Sequence, residues 1–299
     1  SVTSLCAATT SAADEDVGPC NASAVTFNAD DVAAGKSDLA AVLRRYGVAW
    51  VRDAFDARDI ESVHESLIQL LDTPLSKELT HGCLRDDRTQ IHLPFQGPFS
   101  DLPLLGRDAV FLPVLSGLLG NDFILESVQI VTTPADSPMQ TTHSDSLVEG
   151  NIAVYVPLRP CTEDSAPLAF CGGTHGLTEE DVEWVSEQVV WKGLTCPSEE
   201  FEAAFRQELC GTWHPASVPI VAATQNVGDA IIYDSRIWHG EMPNAGVVPR
   251  HMLYINFKTS SMPDSMSVFW TKHNVGEICK ARTAFQGRLR QLRGGPRGA

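Results

Sequence analysis

The chain has 299 residues, 43% of them hydrophobic and 20% charged, with a net charge of -16. That is apolar material for one large globular domain. The acidic balance argues against nucleic acid as a partner, because phosphate binding needs a basic face, and no apolar run approaches the eighteen or so residues that span a bilayer.

Residues 1–35, rich in Ala, Ser, Thr and Asp with few large apolar groups, read as a flexible N-terminal arm. Residues 36–279 read as a single domain. Its first element is a helix over Ser37–Tyr46, with Ser37 as N-cap and Gly47 as stop. A short strand, Val48–Val51, follows. The spacing of Ile60, Val63, Leu67, Leu70 and Leu71 predicts an amphipathic helix over Asp56–Leu71. Residues 81–107 are rich in Pro and Gly and read as a long loop. Its polar candidates are Arg85, Arg88, Gln90 and His92, either solvated or facing a ligand. Asp108–Leu119 reads as a second apolar helix.

From Leu125 the text changes to short β-rich segments: Ser127–Thr133, Ile152–Leu158, Leu168–Phe170, Val218–Ala222, Ala230–Tyr233 and His251–Lys258. Short strands separated by turn signals predict a barrel or sandwich, mainly β with flanking helices. About 176–217 the strands give way to an acidic helical insertion carrying Trp184, Trp191 and Trp213. These tryptophans either pack the insertion onto the core or line a lid over a small-molecule pocket. Residues 280–299 hold six basic residues and no acidic one, which reads as a solvated basic tail. The eight cysteines are scattered without a CxxC pair, which argues against structural zinc. Reduced thiols in an intracellular protein, cytoplasmic or organellar, are the simpler reading of them than a disulfide framework.

One motif within the β-rich half carries chemistry. Thr141-Thr142-His143-Ser144-Asp145 is answered almost a hundred residues later by Trp238-His239-Gly240. Two imidazoles and a carboxylate are the set with which non-haem Fe(II) oxygenases hold one face of an octahedral metal. Residues i and i+2 of a strand project to the same side, so His143 and Asp145 reach one metal from a single strand end. Asp229–Asp234 reads as a buried strand leading to His239. Arg250 opens another strand eleven residues beyond that histidine. Its planar fork suits a carboxylate bidentately.

The chain here resembles the phytanoyl-CoA dioxygenase family of Fe(II)/2-oxoglutarate oxygenases, which includes ectoine hydroxylase. The matching text is Gln140–Asp145, then Phe170-Cys171-Gly172-Gly173-Thr174-His175, and Gly228–His239 with Arg250, across roughly residues 47–260. The resemblance implies a double-stranded β-helix (jelly-roll, cupin-like) core, Fe(II) held by His143, Asp145 and His239, and 2-oxoglutarate and O2 as co-substrates. Arg250 would pair with the far carboxylate of 2-oxoglutarate. Tyr155, Gln129 and Thr141 are further co-substrate candidates, and His175 shapes the turn at Gly172-Gly173. Asp145 stands where related halogenases have a small residue, so hydroxylation, desaturation or oxidative cyclisation of a small molecule is expected instead of halogenation. Two residues beyond the distal histidine the family often has a small hydroxyl residue; Glu241 stands there. A non-catalytic binding or scaffold protein, and a cupin-type oxygenase without a keto acid, are the competing readings. No membrane or nucleic-acid partner is expected, and the protein is expected to be a monomer or homodimer.

Overall fold

The computed structural model describes residues 25–84, 88–94, 99, 108–140, 143–146, 148–176, 218–221, 224–262, 283–287 and 289–291. Eleven strands are described: β1 Thr26–Asn28, β2 Val48–Arg52, β3 Thr80–Leu84, β4 Arg88–His92, β5 Ile124–Thr133, β6 Asn151–Pro157, β7 Leu168–Gly172, β8 Val218–Val221, β9 Ala230–Asp234, β10 His239–Glu241 and β11 Arg250–Lys258. Five α-helices accompany them: α1 Ala29–Ala33, α2 Leu39–Tyr46, α3 Ala57–Leu71, α4 Pro74–Leu79 and α5 Asp108–Leu119.

The strands form two sheets. The larger has the order β1-β2-β9-β6-β11-β5-β4-β3, and the smaller β10-β7-β8. β11 is the spine of the large sheet, pairing antiparallel with β5 on one side and β6 on the other. Because strand residues alternate between faces, the register sorts the large sheet into two chemistries. One face carries Val128, Ile130, Val154, Val156, Ile232, Leu253, Ile255 and Phe257, in one apolar cluster with α3 residues Ile60, Val63 and Leu67 and α5 residues Val110, Phe111, Val114 and Leu115. The other face carries Trp50, Tyr155, Ile231, Tyr233, Met252 and Tyr254, packed with Leu168 and Phe170 of the smaller sheet. The space between the sheets is therefore aromatic and polar at its edges, and the outer layer is aliphatic.

The helices form for local reasons. α3 has buried residues at Ile60, Val63, Leu67 and Leu70, the expected stripe, and the Asp56 side chain caps it by accepting from the Arg58 backbone N–H. α2 is capped by Asp38, one residue later than Ser37, through the Ala41 N–H. It ends at Gly47, whose φ of 77° is left-handed. A Cβ there would meet His175 Nδ1 at 2.5 Å, so glycine is required both by the turn and by the closeness of that ring. His175 Nε2 in turn bonds the carbonyl of Arg44 at 3.0 Å, anchoring the Gly172-Gly173 turn to α2.

Four expectations are corrected. The flexible arm does not run to residue 35: β1 pairs parallel with β2 and Ala29 is fully buried, because one short strand suffices to extend an open sheet edge. Residues 81–107 do not all form a loop: β3 and β4 extend the large sheet, and Arg88, Gln90 and His92 are buried there. The sparse apolar content of this stretch hid a strand whose inward face is polar. In the C-terminal segment, Phe285 and Leu289 are 1% exposed and join the outer core, where Phe285 packs on Phe123 and Phe257. The basic residues concealed two apolar anchors. Finally, Cys171 is disulfide-bonded, while Cys161 is a buried free thiol. The expectation of an intracellular compartment rested on reduced thiols and loses that support. The 176–217 insertion, with its three tryptophans, lies almost wholly outside the described residues. No described helix is long and apolar enough to cross a membrane.

Candidate metal centre

His143 and His239 are brought together by backbone pairing. They form an isolated antiparallel bridge, with His143 N–H donating to His239 O (2.9 Å) and His239 N–H to His143 O (2.8 Å). The segment carrying His143 thus lies beside β10, at the edge of the smaller sheet. The Asp145 N–H donates to Ser235 O (2.9 Å), which turns this segment across the end of β9. Ligand atoms of His143, Asp145 and His239 all lie within 4.8 Å of one another. Asp145 approaches His143 Nε2 at 3.5 Å and His239 Nε2 at 3.7 Å.

The second nitrogen of His239 explains why its Nε2 faces the carboxylate. Nδ1 lies 3.0 Å from the carbonyl of Ile237 and donates to it, which leaves Nε2 as the lone-pair nitrogen. Burial lowers the His239 pKa, so the imidazole stays in the neutral form that ligates metal. Phe170 stacks on its ring at 5.6 Å and Tyr233 packs on it at 4.9 Å. Asp145 is oriented from the large sheet: Tyr233 donates to its Oδ2 at 2.7 Å and Tyr254 at 3.3 Å. Burial would raise the Asp145 carboxyl, but the two imidazoles and the Tyr233 hydrogen bond outweigh it and hold it well below the usual carboxylate range. Its side chain keeps 26% exposure, so the triad stands at an opening. Both tyrosines are pushed well above their ordinary pKa, by burial first and then by the Asp145 charge, so they remain hydrogen-bond donors.

These residues suit a divalent metal of the borderline-soft type. Two imidazoles and one carboxylate close together, with His239 held by the Ile237 carbonyl and Asp145 by Tyr233 and Tyr254, match the facial set preferred by non-haem Fe(II).

Arg250 also faces the space between the sheets, but its guanidinium is engaged. Nη1 donates to Ala166 O, and Nη2 to Glu241 Oε1 and to Thr133 Oγ1 (3.1 Å). Its Nε is buried without a partner among the described residues. The other Glu241 oxygen is held by Arg88 Nε (2.6 Å) and by Thr133 Oγ1. Burial would raise the Glu241 carboxyl; the guanidiniums of Arg250 and Arg88 overcome this and lower it. Arg88, Thr133 and Arg250 come from β4, β5 and β11, and Glu241 reaches them from β10.

Tyr155 is on the same inner face of the large sheet as Tyr233 and Tyr254. Burial raises its pKa first, and both Asp145 and Glu241 act on it electrostatically, as do Arg250 and Arg88. Its ring packs on Tyr254 at 4.8 Å. Gln129 sits opposite Tyr254 on β5, 3% exposed, with Nε2 donating to Ser127 Oγ (2.7 Å) and Oε1 unpartnered among the described residues. Thr141 lies outside the described residues. Sequence reasoning missed Tyr233 and Tyr254 as the supports of Asp145, and the Arg88–Glu241 pair. A signal for Tyr254 was present: it shares strand parity with Arg250. Arg88 had none, because its strand was read as loop.

No known family's sequence profile matches the chain, and no curated protein matches it. Solved structures do. The non-heme alpha ketoglutarate dependent epimerase SnoN from nogalamycin biosynthesis superposes with a TM-score of 0.56 at 15% identity, over 77% of this chain and 87% of that one. The carbocyclase SnoK from the same biosynthesis gives 0.52 at 14% identity, over 76% and 85%. EctD from S. alaskensis with bound Fe gives 0.51 at 20% identity, over 74% and 75%. At these identities the likeness shows the fold, a jelly-roll β core with flanking helices.

Proposed function

We propose that the protein is a non-haem Fe(II)/2-oxoglutarate-dependent dioxygenase that oxidises a C–H bond of a small molecule, by hydroxylation, desaturation or oxidative cyclisation. The observation that carries this reading is the convergence of His143, Asp145 and His239 within 4.8 Å, on a fold shared with proteins described as iron- and alpha-ketoglutarate-dependent. Bound Fe(II) with the keto acid and O2 would supply the oxidising chemistry.

The chain's own residues would do the rest. His143, Asp145 and His239 would hold the metal. Tyr233 and Tyr254 fix the Asp145 carboxylate so that it does not rotate away. Phe170, Tyr233 and Tyr155 keep water from the inner side of the centre. Arg250 is the candidate for the far carboxylate of the keto acid, with Tyr155 beside its path. Gln129, whose Oε1 lacks a partner among the described residues, is a candidate acceptor for a donor on the substrate and, through its amide N–H, a candidate donor to the co-substrate, and Thr141 remains a co-substrate candidate. The small-molecule class fits a site placed between two sheets with the triad at its opening.

A second reading has one observation in its favour. A metal-dependent oxygenase without a keto acid has no need of an open guanidinium, and Arg250 is paired with Glu241. Anaerobic addition of Fe(II) and then 2-oxoglutarate to metal-free protein separates the two. The first reading expects a weak charge-transfer band in the visible spectrum that disappears in His143→Ala, together with succinate release once O2 is admitted. Iron-loaded, folded protein without that band would overturn it in favour of the second.

A further inference from the structure

The Glu241 bridge, with Arg88 on one side and Arg250 on the other, is unexplained by metal binding. We propose that Glu241 is a specificity-determining residue: an internal carboxylate that occupies Arg250 in place of a ligand's far carboxylate, so that a dicarboxylic 2-oxo acid must displace it and Arg88 retains it afterwards. This rests on the keto-acid reading above.

Three features of the geometry point to it. First, both terminal nitrogens of the Arg250 guanidinium are already engaged by protein oxygens. Nη1 is on Ala166 O, and Nη2 is shared by Glu241 and Thr133. Only Nε is unpartnered among the described residues. A ligand carboxylate that is to grip Arg250 by two nitrogens therefore has to take the place of a protein oxygen. Second, the oxygen most readily exchanged is that of Glu241, because it is the same chemical group as the incoming one. The Ala166 carbonyl is fixed by its backbone and cannot swing aside, whereas the Glu241 carboxylate is on a side chain. Third, Glu241 can let go of Arg250 without becoming an unpaired buried charge. Its Oε2 is separately held by Arg88 Nε at 2.6 Å and by Thr133 Oγ1. The side chains of Arg88, Glu241 and Arg250 are all under 5% exposed. In such a place a carboxylate with one partner would be trapped on it, because release would strand both charges. With two arginines the release is an exchange. Arg250 passes from an internal to an external carboxylate, and Glu241 stays neutralised by Arg88.

The bridge acts only on ligands that reach it. Tyr254, a donor to Asp145, and Arg250 lie on the same face of β11, so the triad and the bridge open onto the same space between the sheets. A short 2-oxo monoacid such as pyruvate has no group to offer Arg250 and leaves the bridge intact. Glu241 thus lowers the advantage that Arg250 would otherwise give to 2-oxoglutarate over pyruvate.

The test is calorimetric titration of the full-length, Fe(II)-loaded protein under anaerobic conditions, with 2-oxoglutarate and with pyruvate. In Glu241→Gln the 2-oxoglutarate affinity is expected to rise by about tenfold or more, with pyruvate unchanged. In Arg88→Gln, where Arg250 is the only cationic partner left to Glu241 among the described residues, 2-oxoglutarate is expected to weaken by a similar factor, again with pyruvate unchanged. Thermal unfolding and iron content of each variant are recorded, and either folded variant suffices to decide. A ratio of 2-oxoglutarate to pyruvate affinity that stays at the wild-type value, or that moves the opposite way, overturns the role of Glu241 and leaves the keto-acid reading standing. Absence of binding by both acids to wild type and variants overturns both.

Discussion

The two faces of the large sheet are built from the same strands and do opposite things. On β11, Leu253, Ile255 and Phe257 point to the helices, and Arg250, Met252 and Tyr254 point to the smaller sheet. The outer face is held by area: its side chains are interchangeable carbon against α3 and α5, and each contributes roughly 1.5–3 kcal/mol by leaving water. The inner face is held by pairing. Tyr233 and Tyr254 are on Asp145, and Glu241 is between Arg88 and Arg250. Buried polar groups of this kind are expensive to leave unpaired. The lesson is that loss of an outer residue should lower stability and spare the site, and loss of an inner one should disturb the site whatever it does to stability.

The sharpest break of that contrast is at the ligands. His239→Ala is expected to abolish stoichiometric iron binding, measured by metal content after gel filtration, while near-native far-UV circular dichroism is retained. Next, Phe257→Ala, on the outer face beside Phe123 and Phe285, is expected to cost about 3–5 kcal/mol in chemical denaturation. Iron affinity of the folded fraction should not change. If it falls, the two faces are coupled and the contrast fails. Tyr233→Phe is the inner counterpart. It deletes one oxygen, the 2.7 Å donor to Asp145, and should weaken metal binding by about 10–100-fold with a change in unfolding free energy of about 1 kcal/mol or less.

The smallest expected effect concerns the outer face, where one histidine makes the aliphatic layer sensitive to pH. His251 is 5% exposed, hydrogen-bonds Thr132 Oγ1 through Nδ1 at 2.8 Å and packs near His64 of α3. Burial, with the nearby His64 and Arg159, pushes its pKa down to about 4 from 6.5. The unfolded chain therefore takes up a proton near pH 6.5 that the folded protein resists until about pH 4. Stability falls as pH drops through that window, by on the order of 2 kcal/mol for this group. His251→Gln should flatten the fall in a series of denaturation midpoints between pH 7 and pH 4. An unchanged slope would mean that other groups carry the acid sensitivity.

Much of this was legible in the chain. α3 was readable from its apolar stripe, and β9 and β11 from continuous apolar runs, because those segments have one dominant periodicity and clear ends. The candidate ligands could be singled out by residue type and spacing, but strand parity is not what brings them together: His143 sits on an isolated bridge to His239 and Asp145 in a bend. β4 was not readable: Arg88, Gln90 and His92 are polar residues pointing into a polar interior, so the alternation that marks a half-buried strand is inverted. Phe285 and Leu289 were hidden among basic residues for a similar reason, since two anchors are too few to set a period.

The sequence by itself determined helices α2, α3 and α5 and the mainly β core, and it offered His143, Asp145 and His239 as candidate ligands, because these depend on residue type and short spacing. The tertiary structure alone decided what those residues face. Tyr233 and Tyr254 find Asp145 only because β9 and β11 lie in one sheet opposite the His143 segment. Arg88 meets Glu241 across more than one hundred and fifty positions of chain. Whether Arg250 stands open or is already paired was set by that meeting, since the partner of a buried charge is chosen by the folding of distant strands against each other and not by its neighbours in sequence.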